Sequence, residues 1–88
     1  MRRIKSSVEE RMKALQENRY LSGLHFQILE YLAQHTQLIS FESEECILRE
    51  GEPGQGLYIV QSGRVKIFKH SPTGREMIIS VLESGDTF

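Results

Sequence analysis

The chain has 88 residues, 39% apolar and 26% charged, which suits one small globular domain with a thin core. With 11 basic and 12 acidic side chains the net charge is −1, a balance that argues against a dedicated nucleic-acid-binding module. No apolar run approaches the roughly 20 residues that a membrane span needs, and the basic start "MRRIKSSVEERM" leads into acids rather than into a signal peptide's apolar stretch.

The first half reads as helical. "SSVEERMKALQENRYL" opens with Ser7 and carries Glu10 three residues later, the spacing of a capping box. Val8, Met12, Leu15 and Arg19 follow a 3.6-residue period and predict a helix near residues 7–19 with one modest apolar stripe. Ser22-Gly23 marks a break. A second amphipathic helix is predicted near residues 24–35, its inner face drawn from Leu24, Ile28 and Leu32 with Leu29 and Ala33 beside them.

From Leu38 onward the apolar period changes from 3.6 to 2. "LISF", "ECILRE", "GLYIVQS", "RVKIFKH" and "EMIISVL" are short runs rich in β-branched or aromatic residues, and each predicts a strand. In "RVKIFK", Val65 and Ile67 take one face while Arg64, Lys66 and Phe68 take the other. In "MIISVL" the alternation sets Ile78, Ser80 and Leu82 against Met77, Ile79 and Val81, so both faces are apolar, as in a sandwich or barrel.

The glycines punctuate these runs. Pro53-Gly54 in "EPGQ" predicts the centre of a type II turn. Gly63 in "QSGR", Pro72 and Gly74 in "SPTG", and Gly85 in "ESGD" predict hairpin loops. Gly51 and Gly56 have the spacing of a P-loop, but Leu57-Tyr58 stand where Lys and Ser/Thr belong, and a strand follows rather than a helix. The pattern is an antiparallel meander, as in a jelly roll or small barrel.

Little points to catalysis. His25, His35 and His70 lie far apart and predict no metal site. Haem, which needs one or two axial ligands, stays compatible with them. Cys46 reads as a small core residue of a strand, and as the only cysteine it cannot form an internal disulfide, which fits a reducing cytoplasm. Glu42, Glu44 and Glu45 read as a solvated strand edge, and Arg64, Lys66, Lys69 and Arg75 as a solvated hairpin face. No enzyme activity is expected.

The stretch "ILREGEPGQGLYIVQSGRVKIFKHSPTGREMIISVLESGDTF", with "LSGLHFQILEYLAQHTQLISFESEE" before it, resembles the first part of a cyclic-nucleotide-binding domain of the bacterial Crp/Fnr type. The resemblance covers Leu21 to Phe88 and rests on "REGEPG", "LYIV", "SGRVKI", a Pro/Gly hairpin, "GREMIISVL" and "GD-F" occurring in order. It implies an α+β fold, with N-terminal helices followed by an antiparallel β-roll or jelly roll that is incomplete in this chain. Residues 1–20 are then an N-terminal helical extension, and residues 21–88 the first part of the roll.

The resemblance further implies an effector-sensing regulatory domain of a transcription regulator, cytoplasmic and not membrane-bound. A cyclic nucleotide such as cyclic AMP is one candidate effector. Val65, Ile67, Ser80 and Leu82 match positions that face the effector pocket, although their alternation equally suits plain core. The family's phosphate-holding segment, with its Gly-Glu pair and Arg, comes after Phe88, and DNA would be reached through a C-terminal part absent here. A homodimer or strand-exchanged oligomer is the expected assembly. A regulatory module of a kinase or channel, a haem-type gas sensor and a ligand-free interaction domain are the alternatives. The iron–sulfur branch is disfavoured, because residues 1–45 contain no cysteine.

Overall fold

A computed structural model describes every residue of the chain except Gln55. The element order is β1 (Arg2–Ile4), α1 (Val8–Glu17), α2 (Phe26–Gln34), β2 (Leu38–Ser40), β3 (Arg64–His70) and β4 (Glu76–Glu83). All strand pairing among the described residues is antiparallel, and the fold is α+β with both helices between β1 and β2. The chain divides into two compact units, Met1–Gln55 and Gly56–Phe88. No helix among the described residues is long and apolar enough to cross a membrane.

In the first unit, α1 starts where the capping signal places it. The Ser7 hydroxyl accepts a hydrogen bond from the Glu10 N–H at 3.1 Å, and Glu9 and Glu10 stand at the positive end of the helix. The helix stops at Asn18, whose extended backbone ends the turn and whose N–H donates to the Leu15 carbonyl. Asn18 is only 1% exposed, yet it is well used. Its carbonyl accepts from Leu21 and Ser22, and its Oδ1 accepts from the Tyr20 N–H at 2.9 Å. The break between the helices therefore begins at Asn18, earlier than Ser22-Gly23.

α1 packs on α2. The buried apolar positions are Met12 and Leu15 on α1 and Leu29 and Ala33 on α2. The expected inner face of α2 is thus rotated: Leu29 and Ala33 are its centre, whereas Ile28 is 48% exposed. Arg19, expected on the α1 stripe, is exposed. Arg11 ties the two helices together, its Nε donating to the Ala33 carbonyl at 2.8 Å, where a cation also meets the negative end of α2.

Residues 2–4, inside the segment read as a helical extension, form a strand. β1 pairs with β2, Arg2 opposite Ser40, Arg3 opposite Ile39 and Ile4 opposite Leu38. The Met1 ammonium pairs with the Glu45 carboxylate. Glu42 to Glu45 is a turn rather than a strand edge: Glu45 N–H donates to the Glu42 carbonyl, and Glu44 has φ 72°. "ECILRE" forms no strand, and Cys46 is exposed on this loop, its thiol donating to the Leu48 carbonyl at 3.3 Å. Cys46 is therefore not a core residue. The next turn also differs in register. Glu52 N–H donates to the Arg49 carbonyl with Gly51 at φ 87°, so Gly51 supplies the positive φ, and Gly54 does not.

The second unit is built on the β3–β4 hairpin. Its tip is a turn in which Gly74 N–H donates to the Ser71 carbonyl and Ser71 N–H to the Arg75 carbonyl, with Gly74 at φ 85°. This is the three-residue loop that "SPTG" predicts. "GLYIVQS" does not pair with β3 across Gly63. Its Tyr58 and Val60 instead bond antiparallel to Phe88 and Asp86, around an Ile59–Thr87 bridge. Gly85, at φ 93°, turns the chain back for that pairing, and Val60 is the buried residue there.

Two outcomes test this packing. Leu29→Ala is expected to lower unfolding stability by about 2–4 kcal/mol, while Ile28→Ala costs less than about 1 kcal/mol, as read by chemical denaturation. Equal losses at the two positions would contradict the rotated face. The second outcome concerns Glu45. Its hydrogen bond from the Met1 ammonium, with one from the backbone beside it, holds its carboxyl below the ordinary range. Stabilisation from this carboxylate is therefore complete above its unfolded pKa and is lost as pH falls through the lowered folded value. The protection factors of the β1 amides should fall as acid is added below about pH 4, and Glu45→Gln should remove that fall.

Candidate functional site

The β3–β4 ladder positions the candidate site. Val65 lies opposite Leu82 and Ile67 opposite Ser80. Residues directly opposite in an antiparallel pair share one face of the sheet, so the register brings all four onto a single face as two neighbouring pairs. Val65, Ser80 and Leu82 are half-buried, and Ile67 is 36% exposed. The face is apolar apart from one hydroxyl, that of Ser80, and these four positions carry no charge.

A bulge follows at once. Ile67 pairs with Ser80 but Phe68 pairs with Ile78, leaving Ile79 as the extra residue of β4. Simple alternation would put Ile78 with Ser80 and Leu82. Beyond the bulge, Ile78 lies opposite Phe68 instead, and Met77 lies opposite Lys69. The wall is therefore Val65, Ile67, Ser80 and Leu82 without Ile78.

The other face is different in kind. The Lys66 ammonium pairs with the Glu76 carboxylate and lies 5.0 Å from the centre of the Phe68 ring. Phe68 in turn meets His70 edge-on at 5.4 Å. Ile78 and Val81 are 61% and 49% exposed. In the same unit Tyr58 and Phe88 stack at 4.9 Å with an interplanar angle of 9°, across the strand pairing that holds them opposite each other.

The histidines each sit at the end of a helix or strand. His25 caps the start of α2, its Nδ1 accepting from the Gln27 N–H at 3.2 Å. His35 ends the same helix beside Tyr31, and His70 ends β3. Among the described residues no group of three or more His, Cys, Asp or Glu could hold a metal ion. The Gly51–Gly56 stretch opens no helix among the described residues, so it offers no phosphate cradle of the P-loop kind.

The sequence pattern described as "Cyclic nucleotide-binding domain" matches residues 38–88. The chain belongs to the cyclic nucleotide-binding domain family. The matched segment holds β2, β3 and β4 and all four wall residues. A CRP-like cAMP-activated global transcriptional regulator of Mycobacterium tuberculosis is 39% identical over 57 residues, 65% of this chain and 25% of that protein. The cAMP-activated global transcriptional regulator CRP of Salmonella typhimurium is 31% identical over 58 residues, 66% of this chain and 28% of that protein. A regulator of the same name in Pasteurella multocida is 30% identical over 60 residues, 68% of this chain and 29% of that protein. The chain thus spans about a quarter of the length of the curated relatives it matches. No solved structure matches.

The chemistry of the wall generates a prediction. Val65, Ile67, Ser80 and Leu82 offer no charged donor, whereas a bound phosphate needs charge-assisted donors, each worth about 1.5–3 kcal/mol. Without two or three of them, binding weakens about a thousandfold or more. Residues 1–88 alone should show no micromolar heat of binding with cyclic AMP or cyclic GMP in calorimetry. Micromolar binding that Leu82→Asp abolishes would place donors for the cyclic phosphate beside this face.

Proposed function

We propose that this chain is the effector-sensing regulatory part of a bacterial Crp-like transcription regulator, acting as a binding module and not as an enzyme. The observation that carries the reading is the β3–β4 register, which sets Val65 opposite Leu82 and Ile67 opposite Ser80 within the family's matched segment. In this reading the four side chains are the apolar wall of the effector pocket, and Ser80 supplies its one hydroxyl. The effector is a cyclic nucleotide, and the relatives' names, which describe cAMP-activated transcriptional regulators, support that choice.

Regulation would follow from differential affinity. An effector that binds one arrangement of the regulator more tightly than another shifts the population between them, and the shift is no larger than that difference. DNA contact belongs to a further part of the protein, and a homodimer is the assembly in this reading. Residues 1–20 act as an extension ahead of the β-roll, and the protein works in the cytoplasm.

The test is calorimetry of the full-length protein with cyclic AMP and cyclic GMP, paired with Leu82→Asp and Ser80→Ala. A carboxylate in the wall would meet the apolar ligand surface unpaired, and affinity should fall at least about tenfold, with a smaller loss for Ser80→Ala. Unchanged affinity in Leu82→Asp, with the fold intact, would remove these residues from the pocket. Absence of binding by the wild-type protein would remove cyclic nucleotides as its effector.

A further inference from the structure

A second concave surface lies wholly within the first unit and largely outside the segment that the family pattern covers. It is an open cleft of about 360 Å³ between the β1–α1 connection and the α2–β2 connection. Three cations line it, Arg3, Lys5 and Arg11, together with the polar side chains of Ser6, Thr36 and Gln37. The apolar floor is Ile4 and Leu38, which the β1–β2 register places opposite each other. No carboxylate lines it, although the chain carries 12 acidic side chains.

The donors are arranged rather than merely nearby. Arg11 is held by its own bonds: Nε donates to the Ala33 carbonyl at 2.8 Å, and one Nη donates to the Ser6 carbonyl at 2.6 Å and to the Ser6 hydroxyl at 3.0 Å. Its other Nη keeps its N–H donors on a guanidinium that is already fixed, so little side-chain freedom remains to be lost on binding. The Ser6 hydroxyl accepts from Arg11 and retains its own proton for donation. The Thr36 hydroxyl is spent on the Leu32 carbonyl at 2.6 Å and holds the far rim in place. Arg3 and Lys5 are exposed and form no ion pair among the described residues, while Lys66 and Arg49 elsewhere each have a carboxylate partner.

Like charges that line one cleft repel one another, and a concave wall strengthens their combined field. A multivalent anion relieves that repulsion and meets donors that are in part already oriented. We propose that this cleft is a binding site for a small ligand carrying a diphosphate group. Three cations match a diphosphate better than a single carboxylate or a halide. This inference is independent of the effector pocket, since none of the wall residues lines the cleft.

The probe is inorganic pyrophosphate, titrated into the full chain by calorimetry at constant ionic strength, with inorganic phosphate and chloride as comparisons. Pyrophosphate should bind at least about tenfold more tightly than phosphate, and its addition should shift the amide resonances of Lys5, Ser6 and Gln37. Arg3→Gln and Lys5→Gln should each weaken it about tenfold. Both residues are exposed, so unaltered unfolding curves are the accompanying control. Pyrophosphate binding no tighter than chloride overturns the proposal, as does binding that ignores both substitutions. A short DNA duplex that binds more tightly than pyrophosphate and displaces it would assign the cleft to a nucleic-acid backbone and overturn the small-ligand reading.

Discussion

The register of one antiparallel ladder decides what the second unit can present. Side chains alternate with a period of two, so a slip of one residue between β3 and β4 would exchange the two faces completely. The Ser71–Arg75 loop sets that register at one end, through Gly74's left-handed backbone. The Ile79 bulge then absorbs one residue, so that Ile78 and Phe68 oppose each other on the far side from Ser80 and Leu82. An uncharged wall and a face carrying an ion pair with edge-to-face aromatics are thereby kept apart within a ribbon only two strands wide.

Local signals in the sequence were accurate where a single residue type had a single use. Ser7 with Glu10 marks the start of α1, and Gly74 marks the hairpin tip. Periodicity placed both helices but misaligned the inner face of α2. Ile28, Leu29 and Leu32 are all apolar, and only packing against α1 selects Leu29 with Ala33. "ECILRE" has strand-like composition but pairs with no strand among the described residues, so its backbone settles as a loop and Cys46 is left exposed. Composition describes a side chain's preference, whereas a strand needs a second strand.

That Val65, Ile67, Ser80 and Leu82 share one face was legible in the sequence, because alternation and register agree there. What escaped were contacts between residues far apart in the chain. Nothing local to Arg2–Ile4 announces pairing with Leu38–Ser40, and nothing near Arg11 announces the Ala33 carbonyl, 22 positions away. The pairing of Tyr58 with Phe88 is of the same kind. The cationic cleft depends on two of these distant contacts at once, so it has no motif of its own. The two candidate sites also differ in physical character: one is an apolar face with a single hydroxyl, the other a cleft lined by three cations, of which Arg11 is held by hydrogen bonds.

Cys46 is the only thiol in the chain, and it is exposed one residue beyond Glu45, the partner of the N-terminal ammonium. It is therefore a ready attachment point for a single fluorophore or spin probe, with no cysteine to remove or add. A probe there reports on the junction between the N-terminal strand and the loop that receives it. The loop position that sequence composition assigned to the interior is thus the place from which motion of the chain's beginning can be watched directly.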